Sequence, residues 1–324
     1  MRRARMRTLR RVPAAADTPI ALTIGNFDGV HLGHQAMLAR LRETARVHGI
    51  PACALTFEPH PREFFAPDRA PPRLTSLRQK LELLADEGVE RTYVCRFDYQ
   101  FAQITAEDFI ERMLVRGLGV RHLLVGDDFR FGARRAGDFT LLAQHAARLN
   151  YTVQAMASVM LDGERVSSTA VRDALAAGEL ARAARLLGRP YSVSGRVARG
   201  DGLGRKLGYP TANVRVGRSA LSGIFAVEVS GAADRVVQGV ASLGVRPTVK
   251  LNAAPVLEVF LLDFAGDLYG RRVRVDFLHK FRDEEKFSDL DALTRQIAKD
   301  VADARDFFAR RESASRKQSG QGAS

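Results

Sequence analysis

The residue types best suited to chemistry crowd into one decapeptide, Gly25-Asn26-Phe27-Asp28-Gly29-Val30-His31-Leu32-Gly33-His34. Glycines let a backbone approach a phosphate closely, and a helix beginning here offers unpaired N–H groups and the positive end of its dipole. His31 and His34, three residues apart, fall on one side of that helix start, where each imidazole can donate a hydrogen bond to a polyphosphate oxygen. A second constellation spans residues 200–213, where Gly200, Gly202, Gly204 and Gly208 accompany Lys206 and end in Pro210-Thr211-Ala212-Asn213. It is not a P-loop, because no Gly-Lys-Ser/Thr follows four spacer residues. Thr211 and Asn213 carry uncharged oxygens, suited to holding Mg²⁺ beside phosphate oxygens. Glu258 is an acid within an apolar run at residues 256–262; it can serve as a proton acceptor, and the alternation equally permits an outward-facing strand residue.

These groups need a scaffold, and the hydrophobic pattern supplies two. Residues 20–188 alternate short apolar runs with helical periodicity, which predicts a parallel sheet with helices on both faces. Strands are expected at 21–24, 52–57, 92–96 and 122–125, and helices at 35–48, 77–87 and 106–116. In such sheets ligands bind beyond the carboxyl ends of the strands, where the 25–34 segment falls. Beyond Arg189-Pro190 the pattern changes to glycine-punctuated alternation at 192–197, 224–229, 236–242, 256–262 and 272–277. That predicts an antiparallel barrel or sandwich, closed by an amphipathic helix over 289–308.

The 25–34 segment resembles the H-x-G-H signature of nucleotidylyltransferases, in the form found in bacterial bifunctional riboflavin kinase/FAD synthetases. Three further segments match in order and spacing: Thr56-Phe57-Glu58-Pro59-His60-Pro61, Gly126-Asp127-Asp128-Phe129-Arg130-Phe131-Gly132, and Ser167-Ser168-Thr169 with Arg172. The Gly-Arg-x-Leu-Gly and Pro-Thr-Ala-Asn elements of residues 204–213 are similar to the riboflavin kinase motif. The resemblance covers roughly residues 20 to 308. It implies a Rossmann-like α/β nucleotidylyltransferase domain followed by a small antiparallel β-barrel with a C-terminal helix.

The resemblance also implies roles. His31, His34 and Arg172 act in adenylyl transfer, with Gly25, Asn26, Phe27, Asp28, Gly29, Gly33, Asp128, Ser168 and Thr169 around ATP and its phosphates. Asp128 stands where some relatives carry Asn, and an ionised Asp accepts hydrogen bonds but donates none. Phe57, Pro59, His60 and Phe129 are candidate flavin contacts, with Phe64 and Phe131 nearby; a plain core role competes for each phenylalanine. In the second half Glu258 is the catalytic base, Gly204, Lys206 and Gly208 cover ATP, and Thr211 and Asn213 hold the metal. Arg282, Glu285 and Phe287 match the family's mobile segment after the last strands and are expected to help enclose the flavin.

Composition agrees with a globular enzyme. With 46% apolar residues and 27% charged, the chain can bury a sizeable core, and no apolar run approaches a membrane span. Cys53 and Cys95, with apolar neighbours, are too few for a disulfide scaffold, so a reducing cytoplasm is expected. The formal charge of +13 is unevenly placed: six arginines precede Asp17, and the tail from Arg310 adds a net +3, leaving +4 for the body. That remainder suits an enzyme handling anions, and the two arms are expected to be solvated and mobile. The acid-free start has the look of a transit peptide only if the source is eukaryotic, and lacks the apolar core of a secretory signal.

The expected organisation is a basic arm at 1–18, an FMN adenylyltransferase domain at 19–187, a riboflavin kinase domain at 188–309 and a polar tail at 310–324. The expected function is phosphorylation of riboflavin to FMN and adenylylation of FMN to FAD, each with ATP and Mg²⁺. No tightly bound redox cofactor, nucleic acid, membrane or obligate protein partner is expected. Two alternatives stand beside it: a nucleotidyltransferase acting on another phosphorylated acceptor, and an inactive flavin- or nucleotide-binding regulator.

Overall fold

The computed structural model describes residues 6–200, 202–244 and 255–320; Asp201 of the glycine-rich motif and the ends of both expected arms lie outside them. The chain divides into two compact units, one holding residues up to Pro71 with Thr75–Ser168, the other Pro72–Leu74 with the chain from Thr169 onward.

The first unit is built on strands β1 (Arg7–Leu9), β2 (Ile20–Ile24), β3 (Ala52–Glu58), β4 (Arg91–Arg96), β5 (Val120–Gly126) and β6 (Thr152–Met156). They form one sheet in the order β1-β4-β3-β2-β5-β6, every pair parallel. Its helices are α1 (Leu32–His48), α2 (Pro61–Phe65), α3 (Leu77–Asp86), α4 (Tyr99–Ala102), α5 (Ala106–Asp108), which runs on as π-helix to Gly117, and α6 (Phe139–Ala146). A small hairpin pairs β7 (Met160–Leu161) with β8 (Glu164–Arg165).

Successive strand residues point to opposite faces, so a sheet covered on both sides needs a continuous apolar run. β2 shows this. Ile20, Leu22 and Ile24 pack with Phe109, Ile110 and Leu114 on one face, while Ala21 packs with Leu41 and Ala45 of α1 on the other. The strand order reverses between β2 and β5, which makes their carboxyl ends the topological switch point where ligands bind in open α/β sheets.

The second unit contributes α7 (Ser168–Ala176), which begins at the boundary, and α8 (Leu180–Leu187). These precede β9 (Tyr191–Ala198), α9 (Leu203–Lys206), β10 (Thr211–Arg215), β11 (Gly223–Ser230), β12 (Val237–Gly244), β13 (Val256–Leu261), β14 (Arg272–Arg282) and α10 (Leu290–Gly320). The six strands close an antiparallel barrel in the order β10-β13-β12-β11-β14-β9, sealed by the β9–β10 pair. Val214, Phe225, Val227, Leu243, Leu257, Val275 and Phe277 fill its interior. On the outside Ile224, Ala226, Val240 and Phe260 pack against Val301, Ala304 and Phe308 of α10.

Two expectations about the arms are corrected. The amino-terminal arm, expected to be mobile, supplies edge strand β1, paired Arg7↔Arg91 to Leu9↔Tyr93, with Met6, Leu9 and Val12 packed on the core clusters. Arginine density hid an apolar side. The stretch 310–320, expected as tail, continues α10, held by the Arg311–Glu228 ion pair (2.8 Å) and the Gln238 amide donating to Glu312 (3.1 Å). Strand β10 also lies where the sequence showed only a motif, because its pairing partners are distant in the chain.

No helix among the described residues is long and apolar enough to cross a membrane. Cys53 and Cys95 are free and buried, and burial pushes each thiol up to about 12.

Candidate active sites

In the first unit the 25–34 segment leaves the carboxyl end of β2 and enters α1. His31 is the N-cap of α1: its Nδ1 accepts the His34 N–H at 3.4 Å, which leaves the proton of the neutral ring on Nε2. The two imidazoles stack at 3.7 Å between centroids. His34 is held well below the ordinary histidine value by burial, then by the charges of His31 and Lys80, so it is neutral near pH 7. Gly33 is required by this stack, since a Cβ there would lie 3.2 Å from the His31 ring. Buried Asn26 Oδ1 and His34 Nδ1 have no hydrogen-bond partner among the described residues, the condition of polar atoms that await a ligand.

Several residues expected around ATP also build the loop. The Phe27 side chain is fully buried with Val30, Leu38 and Leu84. The Asp28 carboxylate is buried and accepts the Thr75 N–H at 3.0 Å and the Thr75 hydroxyl at 3.1 Å. Gly25 takes a hydrogen bond from its own N–H to Leu55 O, and Gly29 adopts φ 83°. The Ser168 hydroxyl donates to the Asp28 carbonyl at 2.9 Å.

Asp128 follows β5 at the switch point, is exposed, and pairs with Arg165 at 2.8 Å. Phe57 lies at the end of β3 in an aromatic cluster with Phe97 and Phe101, and Phe64 joins it through Phe97. Phe129 stacks on Phe131 at 5.5 Å, and Phe131 is a core residue. Pro59 follows Glu58 through a cis peptide. The His60 ring caps α2, its Nδ1 accepting the Arg62 N–H at 3.0 Å while Glu63 accepts the His60 N–H at 3.2 Å, which gives His60 a structural duty the sequence did not suggest.

In the second unit α7 carries exposed Thr169 and half-buried Arg172, whose Nε–H donates to the Pro72 carbonyl at 2.7 Å.

The barrel bears a cavity of about 650 Å³ on its outer wall. Its lining includes Gly204, Lys206, Thr211, Asn213, Glu258, Arg282, Glu285 and Phe287, so the structure gathers these expected residues at one place. Glu258 does face out of the barrel, with Leu257 and Val259 turned inward, yet α10 roofs that outer face with Leu293, Ile297 and Val301. Glu258 is thus an outward-facing strand residue that nevertheless lines a cavity. Asn213 pairs with Glu258 across β10–β13, and Ser242 flanks Glu258 from β12. Gly208, with φ 88°, turns the chain from α9 toward β10.

Arg282 lies in the cavity wall but is engaged: its Nε–H and Nη2–H donate to the two Asp300 oxygens at 2.9 and 2.7 Å, and its guanidinium sits 5.9 Å over the Phe287 ring. It therefore braces the 282–287 segment from within the cavity wall.

A hard cation fits this cavity. Asn213 Oδ1 is buried without a hydrogen-bond partner among the described residues, and Thr211, Asn213 and Glu258 can each offer an oxygen ligand.

Sequence reasoning missed Thr75, Lys80, Ser242, Glu284 and Asp300. Asp300 could have been found as the lone acid beside Ile297 and Val301 on the apolar stripe of α10. Thr75 and Lys80 carried no such signal, because their partners lie about fifty residues away in the chain.

Comparison with known proteins accords with both sites. The FAD synthetase family model matches residues 14–170 and the riboflavin kinase family model residues 187–308. The chain is 48% identical over 305 residues to the bifunctional riboflavin kinase/FMN adenylyltransferase of Escherichia coli K12, covering 94% of this chain and 97% of that one. The protein of the same description from Pseudomonas fluorescens is 52% identical over 285 residues, covering 87% and 91%. A crystal structure described as a macrolide-efflux protein from Streptococcus pneumoniae shares the fold with a TM-score of 0.77 at 28% identity, covering 92% of this chain and 98% of that chain. On these matches the chain belongs to the family of bifunctional riboflavin kinase/FMN adenylyltransferases.

Proposed function

We propose that the barrel unit phosphorylates riboflavin through Glu258, Thr211 and Asn213, and that the His31–His34 segment serves the adenylylation of FMN. The enzyme converts riboflavin and ATP to FMN and ADP, and FMN and ATP to FAD and pyrophosphate.

The first reaction transfers a phosphoryl group to a neutral alcohol, so a proton must leave the ribityl hydroxyl. The Glu258 carboxylate accepts it within the cavity under α10. Thr211 and Asn213 would hold Mg²⁺, which supplies neutralisation of phosphate charge. The α9 turn with Gly204, Lys206 and Gly208 covers the ATP phosphates. The apolar lining, Val240, Phe260 and Phe287, suits a flat flavin ring.

The second reaction needs no base, because the FMN phosphate is already an anion and attacks the α-phosphorus in line with departing pyrophosphate. Positioning and charge neutralisation carry it. A neutral His34 acts as a hydrogen-bond donor rather than a fixed cation, and His31, whose Nδ1 caps α1, presents Nε2 to the phosphate oxygens. Thr169 and Arg172 add donors to the triphosphate, as the family resemblance implies, and Phe57 with its aromatic neighbours offers a face to the flavin. ATP consumption and two inert buried thiols support residence in the cytoplasm.

One observation carries the kinase assignment: Asn213 and Glu258 face each other in a cavity wall. The test is chromatography of flavin products from Glu258→Gln and His31→Ala enzymes. Glu258→Gln should lose riboflavin phosphorylation by about 10²- to 10⁴-fold while still converting supplied FMN to FAD. His31→Ala should accumulate FMN. Loss of both activities in either folded variant would refute the division of labour.

A further inference from the structure

The loop that presents His31 is strained. Phe27 and Val30 hold φ of 48° and 42°, a region side chains other than glycine rarely adopt, and Gly29 between them sits at 83°. Such backbone costs about 1–3 kcal/mol per residue and persists only where the surroundings over-determine it. Burial of the Phe27 and Val30 side chains anchors two of the three positions. The remaining restraint comes from a residue outside every motif.

Thr75 precedes Ser76, the N-cap of α3, and reaches the loop by three hydrogen bonds. Its N–H and hydroxyl both donate to Asp28 Oδ1, at 3.0 and 3.1 Å, and its oxygen accepts the Gly29 N–H at 3.1 Å. Thr75 and Asp28 are both buried, so these bonds form away from competing water. The Asp28 carbonyl in turn accepts the Ser168 hydroxyl at 2.9 Å. Asp28 thereby ties the loop to the start of α3 through its carboxylate and to Ser168 through its backbone.

We propose that the Thr75 hydroxyl is a positioning group for adenylyl transfer, holding the Asp28-Gly29 turn in the conformation that aims the loop backbone and His31 at the triphosphate. The inference rests on the reading of the His31–His34 segment as the adenylylation site. Thr75 touches no substrate; it acts through Asp28 and Gly29. Valine at position 75 would keep the shape of threonine but leave the Gly29 N–H without its acceptor and remove one donor from a buried carboxylate. The loop would then relax from its left-handed conformation, and the misplacement would fall on ATP.

The experiment compares Thr75→Val and Thr75→Ser in the full-length enzyme, assaying both activities on the same preparations. Thr75→Val should lower kcat for FMN adenylylation by about tenfold to a hundredfold and raise KM for ATP, with KM for FMN unchanged. Thr75→Ser should restore kcat to within about threefold of wild type, because it returns the hydroxyl without the methyl group. Riboflavin phosphorylation should be equal in all three proteins, which reports that the chain is folded. Wild-type adenylylation in Thr75→Val, failure of Thr75→Ser to rescue, or an equal fall in phosphorylation would each overturn the proposal. His31→Ala run alongside separates the two levels: if it keeps adenylylation, the reading of the site fails; if it loses adenylylation while Thr75→Val does not, only this inference fails.

Discussion

Asn213 and Glu258 are direct partners in the antiparallel register of β10 and β13, although 45 positions separate them in sequence. Side chains so paired stand about 5 Å apart at their Cβ atoms on the same face. That face is the roofed outer wall of the barrel, so an amide oxygen without a hydrogen-bond partner among the described residues and a carboxylate share one cavity.

Metal dependence follows from this pair. Asn213→Ala removes an uncharged oxygen and should raise the Mg²⁺ concentration for half-maximal riboflavin phosphorylation by about tenfold. Adenylylation of supplied FMN should keep its metal dependence. Initial rates across a magnesium titration decide it; equal shifts in both reactions would count against an Asn213 metal site.

Gly204 tolerates no side chain. A Cβ at this position would lie 2.4 Å from the Tyr209 carbonyl oxygen, a backbone atom that cannot swing aside. Gly204→Ala should therefore displace the α9 turn and lower phosphorylation by about tenfold through KM for ATP, with adenylylation intact. Steady-state kinetics with ATP varied provide the check.

The Arg282–Asp300 pair should matter for both stability and flavin affinity. Asp300 is buried and receives two guanidinium hydrogen bonds plus the Gln296 amide at 2.9 Å. Asp300→Asn leaves the mostly buried Arg282 charge uncompensated and should cost roughly 3 kcal/mol of barrel-unit stability. Because Arg282 and Phe287 line the cavity, KM for riboflavin should rise as well. Urea unfolding with riboflavin titration tests both; unchanged stability would contradict the bracing role.

His34 gives a prediction about pH. Its value lies well below 6.5 in the folded protein, through burial first and then the charges of His31 and Lys80. The folded state binds fewer protons here than the unfolded chain, so the associated stability is complete above about pH 6.5 and is lost as pH falls from there toward the folded value. His34→Gln should flatten the fall in stability below pH 6.5, and NMR titration should find the His34 ring neutral from pH 8 to 6.5. A ring that protonates near pH 6.5 would refute the assignment.

The sequence alone determined the order of the two architectures, because a period of two or of 3.6 survives in any apolar run. Residues 21–24 and 52–57 read as strands, and 289–308 read as an amphipathic helix, for that reason. It also determined which glycines, histidines and hydroxyls group together, since residues 25–34 and 204–213 are contiguous. What the tertiary structure decided depends on chain segments meeting from afar. Only the barrel register sets Glu258 against Asn213, and only α10 folding over that face turns an outward glutamate into a cavity residue. Thr75 reaches Asp28 across 47 positions, and the basic amino-terminal arm becomes a strand because β4 offers it an edge. Local pattern records local preference, whereas these contacts exist only when burial makes distant partners neighbours.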